Sequence, residues 1–194
     1  AIINPRIVFD RRNKLRNSQI NNYKKTISFL LSKNYKIFLF DKNLKLKNNK
    51  IKYIDFKSDK NKVLQICAFE NCNLYIGSYS GMGHFTDLFK TPSIYVDEIF
   101  LSGYYFNDNC LFLPKKRISG KEYIPFTANN FLRLSSLFID DDLKRNKVKF
   151  INNSSEEILS SVKDFVSNKK FKTISIDRKF GKYLIFNKIN GTVV

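Results

Sequence analysis

Leu74-Tyr75-Ile76-Gly77-Ser78-Tyr79-Ser80-Gly81-Met82-Gly83-His84-Phe85-Thr86-Asp87-Leu88-Phe89-Lys90-Thr91-Pro92-Ser93-Ile94-Tyr95-Val96 is the stretch whose reading decides the fold. A short apolar run, Leu74 to Ile76, ends in Gly77. Serines and glycines follow at once, and the residues from about Met82 to Phe89 suit a helix. Thr91-Pro92 stops that helix, because proline has no N–H to continue it. Ser93 to Val96 is apolar again. A strand, a glycine turn, a helix and a second strand is the repeating unit of a parallel α/β sheet.

The pattern continues on both sides. Upstream, Ile7-Val8-Phe9 reads as a short buried strand, followed by a polar, basic stretch from Asp10 to Asn17. Ser18 is expected to cap a helix over Gln19 to Lys33, since Ile20, Tyr23, Ile27, Leu30 and Leu31 recur at helical spacing. Asn34 marks its end. Lys36 to Phe40 is a continuous apolar run of the kind found inside parallel sheets. Ile51 to Phe56 reads as a third strand, and Val63 to Asn71 as a second helix. Downstream of Val96 the order weakens. A strand is read at Leu111 to Leu113, a helix around Ala128 to Leu137 and a strand at Val148 to Ile151. Asn153-Ser154-Ser155 then caps a helix through Val166, with Glu156 and Glu157 in its first turn, where the helix dipole favours anions. The expected architecture is α/β: a Rossmann-like parallel sheet with helices on both faces, over residues 1–167. Residues 168–194 read as a basic C-terminal extension.

The glycine turn carries the chemistry. Gly81 and Gly83 let backbone N–H groups approach a ligand closely, and Ser78 and Ser80 offer hydroxyls. The N-terminus of the following helix adds N–H groups and a positive dipole end, an anion-binding arrangement. A plain tight strand-to-helix connection would use the same glycines, so the turn alone leaves both readings open. It is not a nucleophile elbow, since Ser80 lacks the Gly-x-Ser-x-Gly order and no second histidine exists. It is not a Walker A loop, since no Gly-Lys-Ser/Thr follows. His84, the sole histidine, either donates to a phosphate or packs against the sheet.

Composition narrows the classes. In 194 residues, 35 Lys and Arg stand against 17 Asp and Glu, giving +18. That excess suits an anionic ligand, nucleic acid or an anionic membrane surface. The joint richness in Lys, Asn, Ile and Phe also fits genome bias and a solvated surface. The aromatics fall on apolar strand periods, a core pattern and not a base-stacking platform, so no nucleic-acid partner is expected. Three cysteines at irregular spacing, Cys67, Cys72 and Cys110, give no disulfide framework and no zinc site. Reduced thiols point to a cytoplasmic protein. No apolar run reaches the roughly 18 residues of a spanning helix, and no signal-peptide pattern opens the chain. The start in strand-like sequence, without Met, reads as a piece of a longer protein.

Several motifs together resemble a known group. Gly77, Ser80, Gly81, His84 and Pro92 stand where the heptosyltransferases carry strand, Gly-x-x-Ser-Gly-x-x-His, helix, Pro and strand. A broader similarity is to a bacterial glycosyltransferase family of surface-polysaccharide loci. Its Arg-Asn-x-x-Ile-x-x-Tyr signature reads here as Arg16-Asn17-Ser18-Gln19-Ile20-Asn21-Asn22-Tyr23. Its Cys-x-Phe/Tyr-x-Ile-Gly-x-x-Ser-Gly segment is followed from Cys72 to Gly81, with Leu74 at the Phe/Tyr position. Its Asn-x-x-Glu-Glu-Ile helix start runs from Asn153 to Ile158. Where that family opens the domain with His-x-Arg, this chain has Val8-Phe9-Asp10-Arg11-Arg12, without a histidine.

The resemblance implies the C-terminal, donor-binding half of a GT-B fold, acting as a metal-independent glycosyltransferase. The donor is a nucleotide-diphosphate sugar, with no further cofactor and no metal. The acceptor is a glycan or glycolipid such as lipopolysaccharide, O-antigen or capsule. The donor diphosphate is expected on Arg16, Asn17, Gly77, Ser78, Ser80, Gly81, Met82, Gly83 and His84. An N-terminal GT-B domain is the implied partner, and an anionic inner membrane face a peripheral one. No catalytic base is assigned: Asp10, Asp87 and Asp97 lie near the functional edge but read as structural. Two rival readings stand beside this one, a non-catalytic phosphate- or sugar-nucleotide-binding module and a basic nucleic-acid-binding domain.

Overall fold

The computed structural model describes residues 1–5, 17–40, 46–54, 60–79, 81–98, 110–124 and 148–167. Six strands form one sheet: β1 (Ile2–Asn4), β2 (Ile37–Leu39), β3 (Ile51–Tyr53), β4 (Tyr75–Gly77), β5 (Ser93–Glu98) and β6 (Cys110–Pro114). Their spatial order is β3-β2-β1-β4-β5-β6, and every neighbouring pair is parallel. The expected Rossmann-like α/β sheet is therefore present, in the doubly wound order that reverses between β1 and β4.

Side chains of a strand alternate between faces, and that alternation divides the core in two. Ile3, Ile37, Leu39, Ile76, Ile94, Val96, Leu111 and Leu113 face one side. There they meet Ile27 and Leu30 of α1 (Lys24–Ser32) and Ile158 and Val162 of α4 (Ser155–Val166). Ile2, Tyr75, Tyr95, Cys110 and Phe112 face the other side, toward Ala68 and Phe69 of α2 (Lys60–Glu70) and Phe85 of α3 (Gly83–Leu88). Right-handed crossovers demand this split. The chain winds one way from β1 to β2 and the other way from β4 to β5, so α1 and α3 must land on opposite faces.

Helix ends follow local chemistry. Asn34 does close α1: it sits at φ 66°, and the N–H groups of Asn34 and Tyr35 donate to Leu31 and Leu30 carbonyls, each at 3.0 Å. That double bond pattern is a left-handed C-terminal cap. Lys90, at φ 53°, closes α3 in the same way, ahead of Pro92. α4 opens with a capping box: the Ser154 hydroxyl accepts from the Glu157 N–H, and the Glu157 carboxylate accepts from the Ser154 N–H.

Several expectations are corrected. The first strand is Ile2–Asn4, while Ile7 to Phe9 lie outside the described residues. Ser18 does not cap a helix. The chain enters α1 through a 3-10 turn, Ile20–Tyr23, without a side-chain cap, and the buried Ser18 hydroxyl accepts from Tyr23 at 3.3 Å. Val148 to Ile151 is a strand, but it joins a separate antiparallel sheet with Lys116–Ser119 (β7) and Glu122–Ile124 (β8), in the order β8-β7-β9, where β9 is Val148–Ile151. The β7–β8 hairpin turns on Gly120, at φ 63°, a conformation glycine adopts without strain. The helix read at Ala128 to Leu137 and the extension at 168–194 lie outside the described residues.

The capping box yields a prediction. Ser154→Ala should cost about 1 kcal/mol in denaturant unfolding. Glu157 also pairs with Lys116 at 2.6 Å. Burial works against its charge, but the Lys116 and Ser154 bonds outweigh that and hold its carboxyl below the usual range. A depressed carboxyl stabilises above its unfolded value and loses that contribution as pH falls. The gap in melting temperature between wild type and Glu157→Gln should therefore shrink on acidification through the ordinary carboxylate range.

Candidate functional site

In an open α/β sheet, the crevice for a ligand lies outside the carboxyl ends of the strands where winding reverses. Here those ends are Asn4 of β1 and Gly77 of β4, which stand opposite each other in register. The two backbones nearly touch. A Cβ on Gly77 would lie 2.2 Å from the Asn4 carbonyl oxygen and 2.8 Å from its carbon. Glycine at this position answers that close approach. The Asn4 side chain reinforces it by donating to the Tyr75 hydroxyl at 3.1 Å, which in turn donates to the Ser78 carbonyl at 2.9 Å.

The first residues of the turn are drawn into the fold. Ser78 is 2% exposed. Its N–H donates to the Asn4 carbonyl at 3.3 Å, and its hydroxyl reaches the Val96 carbonyl at 3.5 Å. Read in the sequence as a hydroxyl offered to a ligand, Ser78 instead ties β4 to β1 and β5. Tyr79 is buried as well, and its N–H donates to the Glu98 carboxylate. The amides of Ser78 and Tyr79 thus already have partners, and any anion at this edge meets the turn beyond them.

There the geometry opens. Gly81 is exposed, and nothing lies within 4 Å of where its Cβ would be. Met82 is half-buried and precedes α3 without a side-chain cap. Gly83 is buried for a packing reason: a Cβ there would come within 3.1 Å of the Tyr79 ring. His84 is exposed, on the first turn of α3. With six residues, α3 carries a small dipole, so anion binding here would depend on individual N–H groups and His84. Ser80 and Arg16 lie outside the described residues.

Two residues not assigned from the sequence sit behind His84. The Tyr79 hydroxyl lies 3.0 Å from His84 Nδ1 and donates to Asp87 Oδ2 at 2.8 Å. Asp87 stands three positions after His84, so both lie on one helix face. That spacing was visible in the sequence, but the insertion of Tyr79 between them was not.

A second polar group lines the same edge, at the ends of β5 and β6. Asp97, at φ 62° and 1% exposed, exchanges bonds with Asn153: its N–H donates to Asn153 Oδ1 at 3.1 Å, and its Oδ1 accepts from the Asn153 N–H at 2.6 Å. Asp97 Oδ2 is buried without a hydrogen-bond partner. Burial raises its carboxyl above the usual range, against the pull of the Asn153 bond and of Lys115. Lys115, itself buried, donates to the Asn17 carbonyl at 2.6 Å and to Asn152 Oδ1 at 2.7 Å. Asn17 is thus held by its backbone within a clamp joining the sheet edge, the entry to α1 and the start of α4. Among the described residues, no three His, Cys, Asp or Glu side chains converge as a metal site.

No family model matches this chain, and neither curated proteins nor solved structures show a match. Its class rests on its own topology, an α/β protein with a Rossmann-like sheet. Among the described residues no helix is long and apolar enough to cross a membrane.

The glycines separate fold from site. Gly77→Ala forces a methyl into the Asn4 backbone and should cost about 3 kcal/mol, seen as a lower denaturant midpoint. Gly81→Ala meets open space and should change stability by less than about 0.5 kcal/mol. An equal loss in both variants would contradict this division.

Proposed function

We propose that the chain is the nucleotide-sugar-binding domain of a metal-independent GT-B glycosyltransferase. It would transfer a sugar to a cell-surface glycan acceptor such as lipopolysaccharide, O-antigen or capsule. One observation carries the reading: the glycine turn that resembles a donor-diphosphate motif lies at the reversal of strand order, where an α/β sheet offers its ligand crevice. Departure of a nucleoside diphosphate leaves negative charge on the phosphates, and catalysis of that step needs N–H dipoles and cationic groups fixed in advance. The backbone from Gly81 to His84, the His84 ring, Ser80 and Arg16 are the groups assigned to it. Ser78, Gly77 and Asn17 support them by holding the strand ends and the entry to α1. The net charge of +18 suits an anionic donor and a peripheral position at the inner face of a membrane, in the cytoplasm.

The lack of a histidine in Val8-Phe9-Asp10-Arg11-Arg12 favours a second reading, a module that binds the donor without transferring its sugar. The two differ in turnover and share the binding site.

A thermal-shift screen against UDP, GDP, CMP, ADP and their common sugar conjugates tests the shared claim. A ligand at a hundredfold excess over its dissociation constant stabilises the folded state by about 2.7 kcal/mol. One nucleotide class should raise the melting temperature, and Ser80→Ala with His84→Ala should abolish the rise. No shift with any nucleotide, or an undiminished shift in the double variant, would overturn the assignment.

A further inference from the structure

The hydrogen bonds behind His84 determine which nitrogen of its ring can meet a ligand. Burial raises the Tyr79 phenol above its ordinary value, and the bond to Asp87 and its charge push the same way, so Tyr79 keeps its proton. A phenol has one proton to give. Burial raises the Asp87 carboxyl above its usual range, against the pull of the Tyr79 bond and of the His84 and Lys90 charges; in its ionised form it only accepts, so that proton goes to Asp87 Oδ2 at 2.8 Å. Asp87 is buried, and its Oδ1 has no hydrogen-bond partner, which leaves the Tyr79 hydroxyl as its anchor. The phenolic oxygen can then only accept from His84, 3.0 Å away, and His84 must carry a proton on Nδ1. When the ring is neutral its Nε2, across the ring from that bond, is bare.

We propose that Asp87, Tyr79 and His84 form a relay that locks His84 as the Nδ1–H tautomer, so that Nε2 can bind a phosphate only when the ring is protonated. This rests on the donor-site reading and assigns its phosphate contact a proton requirement. A bare Nε2 presents a lone pair to a phosphate oxygen and repels it. A protonated ring donates through both nitrogens, to Tyr79 on one side and to phosphate on the other, as a charge-assisted bond. Tyr79 and Asp87 are positioning residues: they set the ring's tautomer and orientation and supply a buried counter-charge. The other titratable groups facing the relay are Lys90 beyond α3, Tyr95 and Glu98 on β5, and Cys110 on β6. Lys90 acts on Asp87, while Glu98 and Cys110 act on Tyr79. Tyr95 meets the Tyr79 ring edge-on at 5.0 Å.

Because bound phosphate stabilises the protonated ring, it must raise the proton affinity of His84, and binding must weaken as pH rises through the imidazole titration. His84 is the only histidine, so its ring signals need no assignment by elimination. Long-range proton–nitrogen spectra of the ring, recorded across pH with and without inorganic pyrophosphate, test the inference in the wild type, Tyr79→Phe and Asp87→Asn. The wild type should show the Nδ1–H tautomer when neutral, and pyrophosphate should move its titration midpoint up by about one pH unit or more. Tyr79→Phe keeps the buried ring and removes the acceptor. It should release the neutral ring to Nε2–H, which donates without taking up a proton, so the pyrophosphate-induced rise should shrink. An Nε2–H tautomer in the wild type, or a tautomer unchanged in Tyr79→Phe, overturns the relay whatever binds. An Nδ1–H tautomer lost in Tyr79→Phe but no response to pyrophosphate leaves the lock standing and overturns the donor-site reading, along with the ligand given to Nε2.

Discussion

Two backbones pass so closely at the centre of the sheet that only a glycine fits between them. The Cβ that Gly77 lacks would sit 2.2 Å from the Asn4 carbonyl oxygen. The contact lies between β1 and β4, the pair on which winding reverses. Around it the Asn4 amide, the Tyr75 hydroxyl and the Ser78 backbone close a chain of buried hydrogen bonds. Buried polar groups are costly unless paired, so this chain also sets the path the turn takes as it leaves the sheet. The position of everything beyond Ser78, including α3 and His84, follows from it.

The same constraint separates residues that hold the site from residues that can face a ligand. Ser78 and Tyr79 spend their N–H groups on Asn4 and Glu98. Gly81 and His84, further along the turn, are exposed. Further along the edge, the Asp97–Asn153 exchange and the Lys115 bond to Asn17 fix the entry to α1 and the start of α4 against the sheet. Asp97 holds a left-handed backbone to do so, which asparagine and aspartate tolerate better than most residues. Buried hydrogen bonds thus hold the ends of β1, β4 and β5 in place.

Much of the frame was legible in the sequence because it is written in periodicity. Apolar runs such as Ile37 to Phe40 and Leu74 to Ile76 have side chains buried on both faces, and α4 announces itself with Ser154 and Glu157 three apart. The strand at Ile2–Asn4 was missed for a physical reason: three apolar-edged residues at the start of the chain carry no periodic signal, and their place depends on pairing with Phe38 and Tyr75, distant in sequence. β7 and β8 are short and charged, stabilised by each other and by β9, so no local pattern marks them. The site divides in the same way. The glycine turn and His84 were readable as a motif. Tyr79 appeared as a spacer between two serines, and nothing local shows that its ring turns inward to join His84 to Asp87. The reason for Gly77 was hidden too, since it lies in the backbone of a residue more than seventy positions away.

The proposed function requires the turn at the switch point to hold the phosphates of a nucleoside diphosphate. Amide hydrogen exchange with and without UDP, GDP and ADP, each at saturating concentration, locates a ligand directly. One of these should slow exchange at Gly81, Met82, Gly83 and His84, and leave α4 unchanged. Protection confined to another part of the sheet, or no change at these four amides with any nucleotide, would contradict the proposed function.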